Sequence, residues 1–267
     1  MSYEDHEKNR VAWNDMVEVH WKHPEYRVKE FLEGWNSLHS IEREQLGDVT
    51  GKSLLHLQCQ FGMDTLSWAR LGADVTGVDI SDRSIERARE LADRSGLEAE
   101  FVRSDILDVI GKIDRKFDIV IQTYGTLCWL RELAPLARAV AHYLKPGGAY
   151  LLIDSHPVQF IYDEEEPISY LERRVWRSAN DPDYCDPDHI IPYERVEVIH
   201  PLMDIINNLA EAGLVIEHLG EYDFDYDMVH KDWKKTGDYY QPADGPPPYP
   251  LMFSLRCRQP DGRSERE

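Results

Sequence analysis

The stretch from Leu54 to Asp79 constrains the fold of this chain more than any other part of it. Its sequence, LLHLQCQFGMDTLSWARLGADVTGVD, has an apolar run, a turn, a helical pattern and a second apolar run that ends in an acid. A strand, a helix and a second strand at this spacing are typical of a βαβ unit with parallel strands. The turn is unusual, because Gln58 and Gln60 stand where glycine is common in such units and only Gly62 remains.

The same alternation of strands and helices continues along the chain. The apolar patterns predict strands at 53–58, 74–78, 99–103, 117–122, 149–154, 214–222 and 251–258, separated by helices at 62–71, 82–95, 133–144 and 201–212. Repeated strand–helix units favour an α/β fold, doubly wound, with a mostly parallel seven-stranded sheet and helices on both faces.

Three segments lie outside this alternation. Residues 1–50 are rich in aromatic side chains, follow a helical period in part, and are expected to form a helical N-terminal cap or lid. Residues 156–199 are irregular and charged, and we expect them to form an insertion over the carboxyl edge of the sheet. The main domain would then span 51–258, and the polar tail 259–267 is expected to be disordered.

The composition of the chain limits which partners it is expected to bind and which cellular compartment it is expected to occupy. The formal net charge of −20 over 267 residues disfavours nucleic acid, since phosphate backbones would be repelled. No run of about 18 apolar residues predicts a membrane span, and the first residues show no secretory signal pattern. The 4 cysteines form no CxxC pair and the histidines are scattered, so we expect free thiols, a cytoplasmic protein and no metal site. The oligomeric state is not readable from the sequence.

The carboxyl ends of the predicted strands carry the candidate binding residues. Ligands of open α/β sheets bind there, and an acid at the end of the second strand suits the two hydroxyls of a ribose. Asp79 is that acid, although it could instead cap the helix that follows Ser81. Asp105 is placed to accept from an adenine amino group, with Ile106 against the ring, but a surface acid that starts a turn is an equal alternative.

Taken together in this order, the motifs resemble those of class I S-adenosylmethionine-dependent methyltransferases. The motifs are LLHLQCQFGMDTLSWARLGA, VTGVDIS, FVRSDI, FDIVIQTYG and YLKPGGAYLLI, and they cover about residues 50–155, more loosely to Arg258. Within that family the chain is similar to a small-molecule-type subgroup with an HLQC-type first turn. The resemblance implies an antiparallel last strand, S-adenosyl-L-methionine as cofactor and S-adenosyl-L-homocysteine as product. It implies cofactor contacts from Gln58, Cys59, Gln60, Gly62, Asp79, Ile80, Ser104, Asp105, Ile106, Gln122 and Tyr124.

The first turn departs from the family pattern. His56 replaces an acid, and Gln58 and Gln60 replace glycines, so a strained turn is less favourable than with glycine. We expect a slightly wider turn, in which the backbone N–H groups of Gln60 and Gly62 face the methionine carboxylate of the cofactor. The alternative is a degenerate site that does not bind. His56 is expected to be a satisfied strand residue or a donor to the turn, and Cys59 a small packing residue.

The methyl acceptor has to meet residues above the strand ends. Since a sulfonium methyl is already activated, in-line displacement needs chiefly positioning and a path for one proton. His156 follows the fifth strand and is the candidate general base or orienting donor, with a structural histidine before Pro157 as the alternative. Tyr124 is a second catalytic candidate, and Trp21, Trp129 and His156 are candidate acceptor contacts.

The sequence therefore predicts an enzyme that transfers a methyl group from S-adenosylmethionine to an O, N or C atom of a small-molecule acceptor. A dinucleotide-dependent oxidoreductase is a second hypothesis, disfavoured because the G-x-G-x-x-G pattern is absent. A non-catalytic module that keeps the fold is the third, and the glutamine turn is its only support.

Overall fold

The computed structural model describes residues 2–161, 169–171, 173–226 and 233–261. The chain begins with helix α1 (Ser2–His20), followed by two short helices, α2 (Val28–Leu32) and α3 (Ser40–Leu46). The last residues of the predicted disordered tail, 262–267, lie outside the described part of the chain.

Alternating strands and helices come next, as the apolar patterns predict. They are β1 (Ser53–Leu57), α4 (Met63–Arg70), β2 (Asp74–Asp79), α5 (Asp82–Ser95), β3 (Glu100–Arg103), β4 (Phe117–Thr123), α6 (Ala134–Tyr143) and β5 (Leu144–Ser155). All five residues of β1 are buried, as expected for a strand with helices on both faces. Strand β5 begins five residues before the predicted position, because Lys145–Gly148 continue the strand and do not form a turn.

The insertion after β5 contains short strands β6 (Arg174–Ser178), β7 (Asp181–Pro182), β8 (Ile190–Ile191) and β9 (Arg195–Ile199), which pair as β6–β9 and β7–β8. The chain then forms α7 (Leu202–Glu211), β10 (Val215–Tyr222), β11 (Trp233–Thr236), β12 (Tyr239–Pro242) and β13 (Met252–Arg258). The apolar patterns do not predict the β11–β12 hairpin, which lies between the last two predicted strands.

A seven-stranded sheet organises the domain, in the order β10-β13-β5-β4-β1-β2-β3. Strands β1 to β5 are parallel where they pair, whereas β13 is antiparallel to both β5 and β10. The predicted fold class is thereby confirmed, including the antiparallel last strand, the N-terminal helix and the insertion after β5.

The core lies on both faces of this sheet. Helices α6 and α7 cover one face through buried residues such as Tyr143, Val140 and Leu209. On the other face Trp68 of α4 is completely buried, and Ile41 of α3 packs in the same cluster. With both faces covered, the open surface of the central strands is the carboxyl edge, where the loops after β1, β2, β3, β4 and β5 meet.

Candidate active site

A cavity of about 1180 Å³ lies at this carboxyl edge. Its volume exceeds the roughly 300–1,000 Å³ of a typical ligand pocket, so it has room for a cofactor and a second molecule. Ten predicted site residues line it: Gln58, Cys59, Gln60, Asp79, Ile80, Ser104, Asp105, Ile106, Tyr124 and Trp129. Four do not: Trp21, Gly62, Gln122 and His156.

The first turn corrects the prediction for its glutamines. Gln58 and Gln60 have φ angles of 55° and 50°, and Gly62 has 75°, so all three lie in the left-handed region. The turn therefore keeps the tight glycine-like path, at a cost of about 1–2 kcal/mol for each side-chain-bearing residue. Unlike these two positions, position 62 requires glycine, because a Cβ there would lie 2.6 Å from the Phe101 ring.

Gln58 is held by hydrogen bonds that offset this strain. Its Nε2 donates to the carbonyl oxygen of Thr126 at 3.0 Å, and its Oε1 accepts from Gln122 Nε2 at 2.6 Å. Gln122 is completely buried and accepts in turn from the Tyr150 hydroxyl at 2.9 Å. Gln122 therefore supports the turn from behind the cavity wall.

Gln60 connects the turn to the N-terminal segment. Its Nε2 lies 3.1 Å from His20 Nδ1 and donates to the Tyr26 hydroxyl at 3.2 Å. Its backbone N–H donates to Asp79 Oδ2 at 2.9 Å, while that of Gly62 donates to the carbonyl oxygen of Cys59 at 2.9 Å. The prediction that both N–H groups face the cofactor carboxylate is wrong for this conformation, because the tight turn directs them to partners within the protein.

His56 and Cys59 lie behind the same turn. His56 is buried, burial lowers its pKa to about 4, and its Nδ1 is 2.9 Å from the Thr65 hydroxyl, so the ring is neutral at pH 7. Burial likewise raises the pKa of the Cys59 thiol well above its ordinary value. The protonated thiol is a poor nucleophile.

Asp79 stands at the end of β2 with its carboxylate fixed from two sides. Oδ1 accepts from the backbone N–H of Ser81 at 2.8 Å, and Oδ2 accepts from Gln60. Burial raises its pKa to about 6. The alternative that Asp79 caps the next helix does not hold, since the Ser81 hydroxyl accepts from Ser84 N and caps α5 itself.

Asp105 has a partner that sequence reasoning missed. Both of its carboxylate oxygens lie within hydrogen-bond distance of His6 Nδ1, at 2.8 and 2.9 Å, and His6 is 3% exposed. Asp105 Oδ1 also accepts from Leu107 N at 2.9 Å, as in a turn. Ser104 and Ile106 are buried on either side of it. The two residues of the His6–Asp105 pair are 99 positions apart, so no local pattern could reveal it.

Tyr124 also has a buried acidic partner. Its hydroxyl donates to Glu42 Oε2 at 2.5 Å, and Glu42 is 1% exposed. Burial raises the pKa of both groups, that of Tyr124 well above its ordinary value. The Tyr124 ring contacts Tyr226 and His39 at centroid distances of 4.7 and 5.3 Å. This corner of the cavity is aromatic, and the Glu42 carboxyl group lies beneath it.

The other acceptor candidates divide between the cavity and the interior. Trp129 lines the cavity and meets the edge of Trp13 at 5.2 Å. Trp21 packs on Phe61 at 5.6 Å, outside the cavity lining. His156 is 4% exposed, with Nδ1 accepting from Val158 N at 3.1 Å and Nε2 lying 3.1 Å from Glu221 Oε1. Burial lowers its pKa, and the ring faces Phe253 and not the cavity.

Comparison with known proteins places this edge in a family. Residues 54–148 match the model of a family described as "Methyltransferase domain". An uncharacterized methyltransferase, YbaJ of Bacillus subtilis, is 24% identical over 186 residues, which are 66% of this chain and 71% of that protein. The ubiquinone biosynthesis O-methyltransferase of Salmonella newport is 33% identical over 129 residues, 44% of this chain. That match spans only 51% of the Salmonella protein.

Solved structures share the fold. A putative S-adenosylmethionine-dependent methyltransferase from Listeria monocytogenes has a TM-score of 0.57 at 18% identity, covering 81% of this chain and 94% of that one. A second such enzyme, from Clostridium acetobutylicum, has a TM-score of 0.55 at 16% identity and covers 95% and 92%. The glycopeptide N-methyltransferase MtfA, solved with S-adenosyl-L-methionine, has a TM-score of 0.54 at 17% identity and covers 85% and 88%.

Within the described ranges, no helix is both long and apolar enough to cross a membrane. Sheet order, an acid at the end of β2 and the matched domain lead to one assignment. Residues 54–148 form a methyltransferase domain, and the protein is an S-adenosylmethionine-dependent methyltransferase whose cofactor is S-adenosyl-L-methionine.

Proposed function

We propose that this enzyme transfers the methyl group to an O, N or C atom of a small molecule that is enclosed beside the cofactor. The observation that carries the proposal is the cavity of about 1180 Å³, which extends from the strand ends to the N-terminal segment and the insertion. A site of this kind suits a molecule that fits inside it better than a polymer that lies across a surface.

We propose that the cofactor lies along the strand ends in the order of the loops. Asp79 would accept from the ribose hydroxyls, Asp105 from the adenine amino group with Ile106 against the ring, and the turn at 58–62 would hold the methionine part. Ile80, Ser104 and Tyr124 line the same cavity, whereas Gln122 would act through Gln58. Each oxygen of the Asp79 and Asp105 carboxylates can accept a further hydrogen bond in addition to those it accepts within the protein.

The cavity is closed by two segments, which we propose as a cap (residues 1–50) and an insertion (156–199) on a domain that spans 51–258. Asn9 of α1 joins them, because its Nδ2 donates to the carbonyl oxygen of Val196 at 2.8 Å and its Oδ1 accepts from Val196 N at 2.8 Å. Arg177 of β6 pairs with Asp5 of α1 at 2.8 Å. Such closure excludes water from the sulfonium and the acceptor.

On the acceptor side we propose the aromatic corner around Tyr124, together with Trp129. Its rings and the chain's net charge of −20 favour a neutral or cationic acceptor. Tyr124 would orient the acceptor, while His156 would act only by supporting the end of β5. The relatives named for O- and N-methylation leave both kinds of acceptor atom open.

The chemistry asks little of the side chains beyond placement. The acceptor atom would attack the methyl carbon in line from about 3–3.5 Å as the bond to sulfur breaks. When bound, the cofactor would supply the activated methyl group and leave as the neutral thioether. An acceptor that carries a proton would release it to solvent as the product leaves.

Calorimetric titration of the full chain with S-adenosylhomocysteine and with NAD tests the proposal. We expect S-adenosylhomocysteine to bind in the micromolar range and NAD to produce no heat. Asp79→Asn should weaken binding, whereas Asp82→Asn, a control at the first residue of α5 and outside the cavity lining, should not. Binding of NAD alone would favour the oxidoreductase hypothesis. Absence of binding of both ligands would favour the non-catalytic hypothesis. Small-molecule pools and methyl-labelled cofactor would then identify the acceptor.

A further inference from the structure

Three side chains of metal-binding type meet where α1 ends against the insertion. His20 is the last residue of α1, and Asp183 and Cys185 belong to the loop between β7 and β8. One ligand atom from each of the three lies within 4.8 Å of the others, and all three residues are buried. The proposed transfer reaction uses none of them.

The cluster is held in a defined geometry. His20 Nε2 lies 3.0 Å from Asp183 Oδ2 and 3.2 Å from Oδ1, and both side chains are 0% exposed. The backbone N–H of Cys185 donates to Asp183 Oδ1 at 2.9 Å, which keeps the cysteine beside the carboxylate. The loop thus presents an oxygen and a sulfur ligand two positions apart.

The far side of the imidazole is also fixed. His20 Nδ1 lies 3.0 Å from the Tyr26 hydroxyl and 3.1 Å from Gln60 Nε2, and the ring stacks on Tyr26 at a centroid distance of 4.8 Å. Histidines that bind metals are commonly oriented by a hydrogen bond at the nitrogen that does not bind the metal.

We propose that His20, Asp183 and Cys185 form a site for a divalent transition-metal cation of the zinc type. Imidazole nitrogen, carboxylate oxygen and thiolate sulfur are all ligands of Zn²⁺, whereas calcium and magnesium favour oxygen alone. Carboxylate and thiolate together balance the two positive charges of the ion. Cys185 also lines the cavity, so the proposed metal site borders it.

Protons balance when the ion binds. Cys185 releases its thiol proton to solvent. The His20 proton moves from Nε2, which binds the metal, to Nδ1, where it is donated to the Tyr26 oxygen. Tyr26 can then donate to the Tyr184 hydroxyl, 2.5 Å away, and Gln60 can present its amide oxygen after a flip.

The competing interpretation is a metal-free hydrogen-bonded pair, since His20 and Asp183 satisfy one another at 3.0 Å. In this interpretation Cys185 supports Asp183 through hydrogen bonds from its backbone N–H and its thiol, whereas the metal site would use the Cys185 sulfur as a ligand. The two interpretations differ in metal content and in the reactivity of one thiol, and neither measurement depends on the cofactor or the acceptor.

The full chain is loaded with Zn²⁺, desalted and analysed for metal by mass spectrometry. We expect one equivalent per chain, with loss of the equivalent in His20→Gln, Asp183→Asn and Cys185→Ser. His189→Gln is the matched control and should keep the bound zinc. His189 also lies in the insertion, but it pairs with Asp15 of α1 at 2.7 Å and not with the cluster. Tyr26→Phe should weaken zinc affinity about 10–100-fold, as expected for loss of a partner of the ligand histidine.

A second measurement uses only wild-type protein, so misfolding of a variant cannot obscure the result. Iodoacetamide labelling of Cys185, read on its peptide, should slow on addition of Zn²⁺ and recover with a chelator. Wild-type metal content no higher than that of Cys185→Ser, or labelling of Cys185 unchanged by Zn²⁺, would overturn the proposal and leave a hydrogen-bonded pair.

Discussion

Replacing each turn glutamine by glycine should have unequal consequences at two positions that look equivalent in sequence. Both residues have positive φ, at 55° for Gln58 and 50° for Gln60. Glycine relieves about 1–2 kcal/mol of left-handed strain. It also gives back about 0.4–1 kcal/mol by adding freedom to the unfolded chain. The backbone alone therefore favours either substitution by less than about 2 kcal/mol.

The contacts of the two side chains determine how far the stabilities of the two variants differ. Gln58→Gly removes the bond to Thr126 and leaves the Gln122 amide, in a fully buried residue, without its acceptor at 2.6 Å. The lost bond is worth about 0.5–1.5 kcal/mol and the orphaned donor about 1–3 kcal/mol. We expect Gln58→Gly to lower the free energy of unfolding by about 1–3 kcal/mol.

Gln60→Gly should change the same quantity by less than about 1 kcal/mol, because the bonds it removes are few and their groups keep other partners. His20 Nδ1 retains the Tyr26 hydroxyl at 3.0 Å, and Asp79 retains the backbone N–H of residue 60. Urea unfolding followed by tryptophan fluorescence measures both variants. A Gln58→Gly protein as stable as wild type would refute the argument that Gln122 depends on Gln58.

Three further results should follow from the site. The Asp79 pKa is raised to about 6, and the ionised carboxylate is the form that accepts from a ribose, so affinity for S-adenosylhomocysteine should decrease as the pH is lowered through about 6. In calorimetry, Asp79→Asn should abolish this pH dependence. Asp105→Asn should weaken the same binding by about 1.5–3 kcal/mol, the value of a hydrogen bond to a charged group, and equal affinity would remove Asp105 from the site. Tyr124→Phe leaves Oε2 of the buried Glu42 without its donor at 2.5 Å, although Oε1 keeps the His39 backbone N–H, and should cost about 1–3 kcal/mol of unfolding free energy. Tyr124→Phe with Glu42→Leu should recover part of this loss in denaturant titration.

The sequence predicted most of the fold because its signals are local. The apolar runs of β1, β2 and β4 and the helical face of α5 each specify an element within a few turns of chain. Asp79 was placed correctly at the sheet edge for the same reason. The β11–β12 hairpin was missed although Gly237-Asp238 between two short runs is a hairpin signal, and Gly237 has the positive φ such a turn requires.

The rest of the site depends on residues distant in sequence. Asp105 meets His6 across 99 positions, Tyr124 meets Glu42 across 82, and Asp183 meets His20 across 163. No period or spacing encodes such pairs. His156 shows the complementary difficulty, since its place after β5 was predictable but the direction of its ring, towards Phe253, depends on the packing of β13.

These three distant pairs share one property that bears on how the cavity is closed. Each joins a residue of the N-terminal segment to a residue of the sheet edge or the insertion, and His6, His20 and Glu42 are all at most 3% exposed. Separating a buried pair leaves a charged or polar group without a partner, which costs several kcal/mol, whereas separating apolar contacts alone would not. A cap held only by apolar contacts could dock in several registers, but paired groups fit in one. The structure therefore favours an N-terminal segment that is part of the cavity wall over one that moves freely above it. Passage of cofactor and acceptor would then require these pairs to exchange their partners for groups of the ligand.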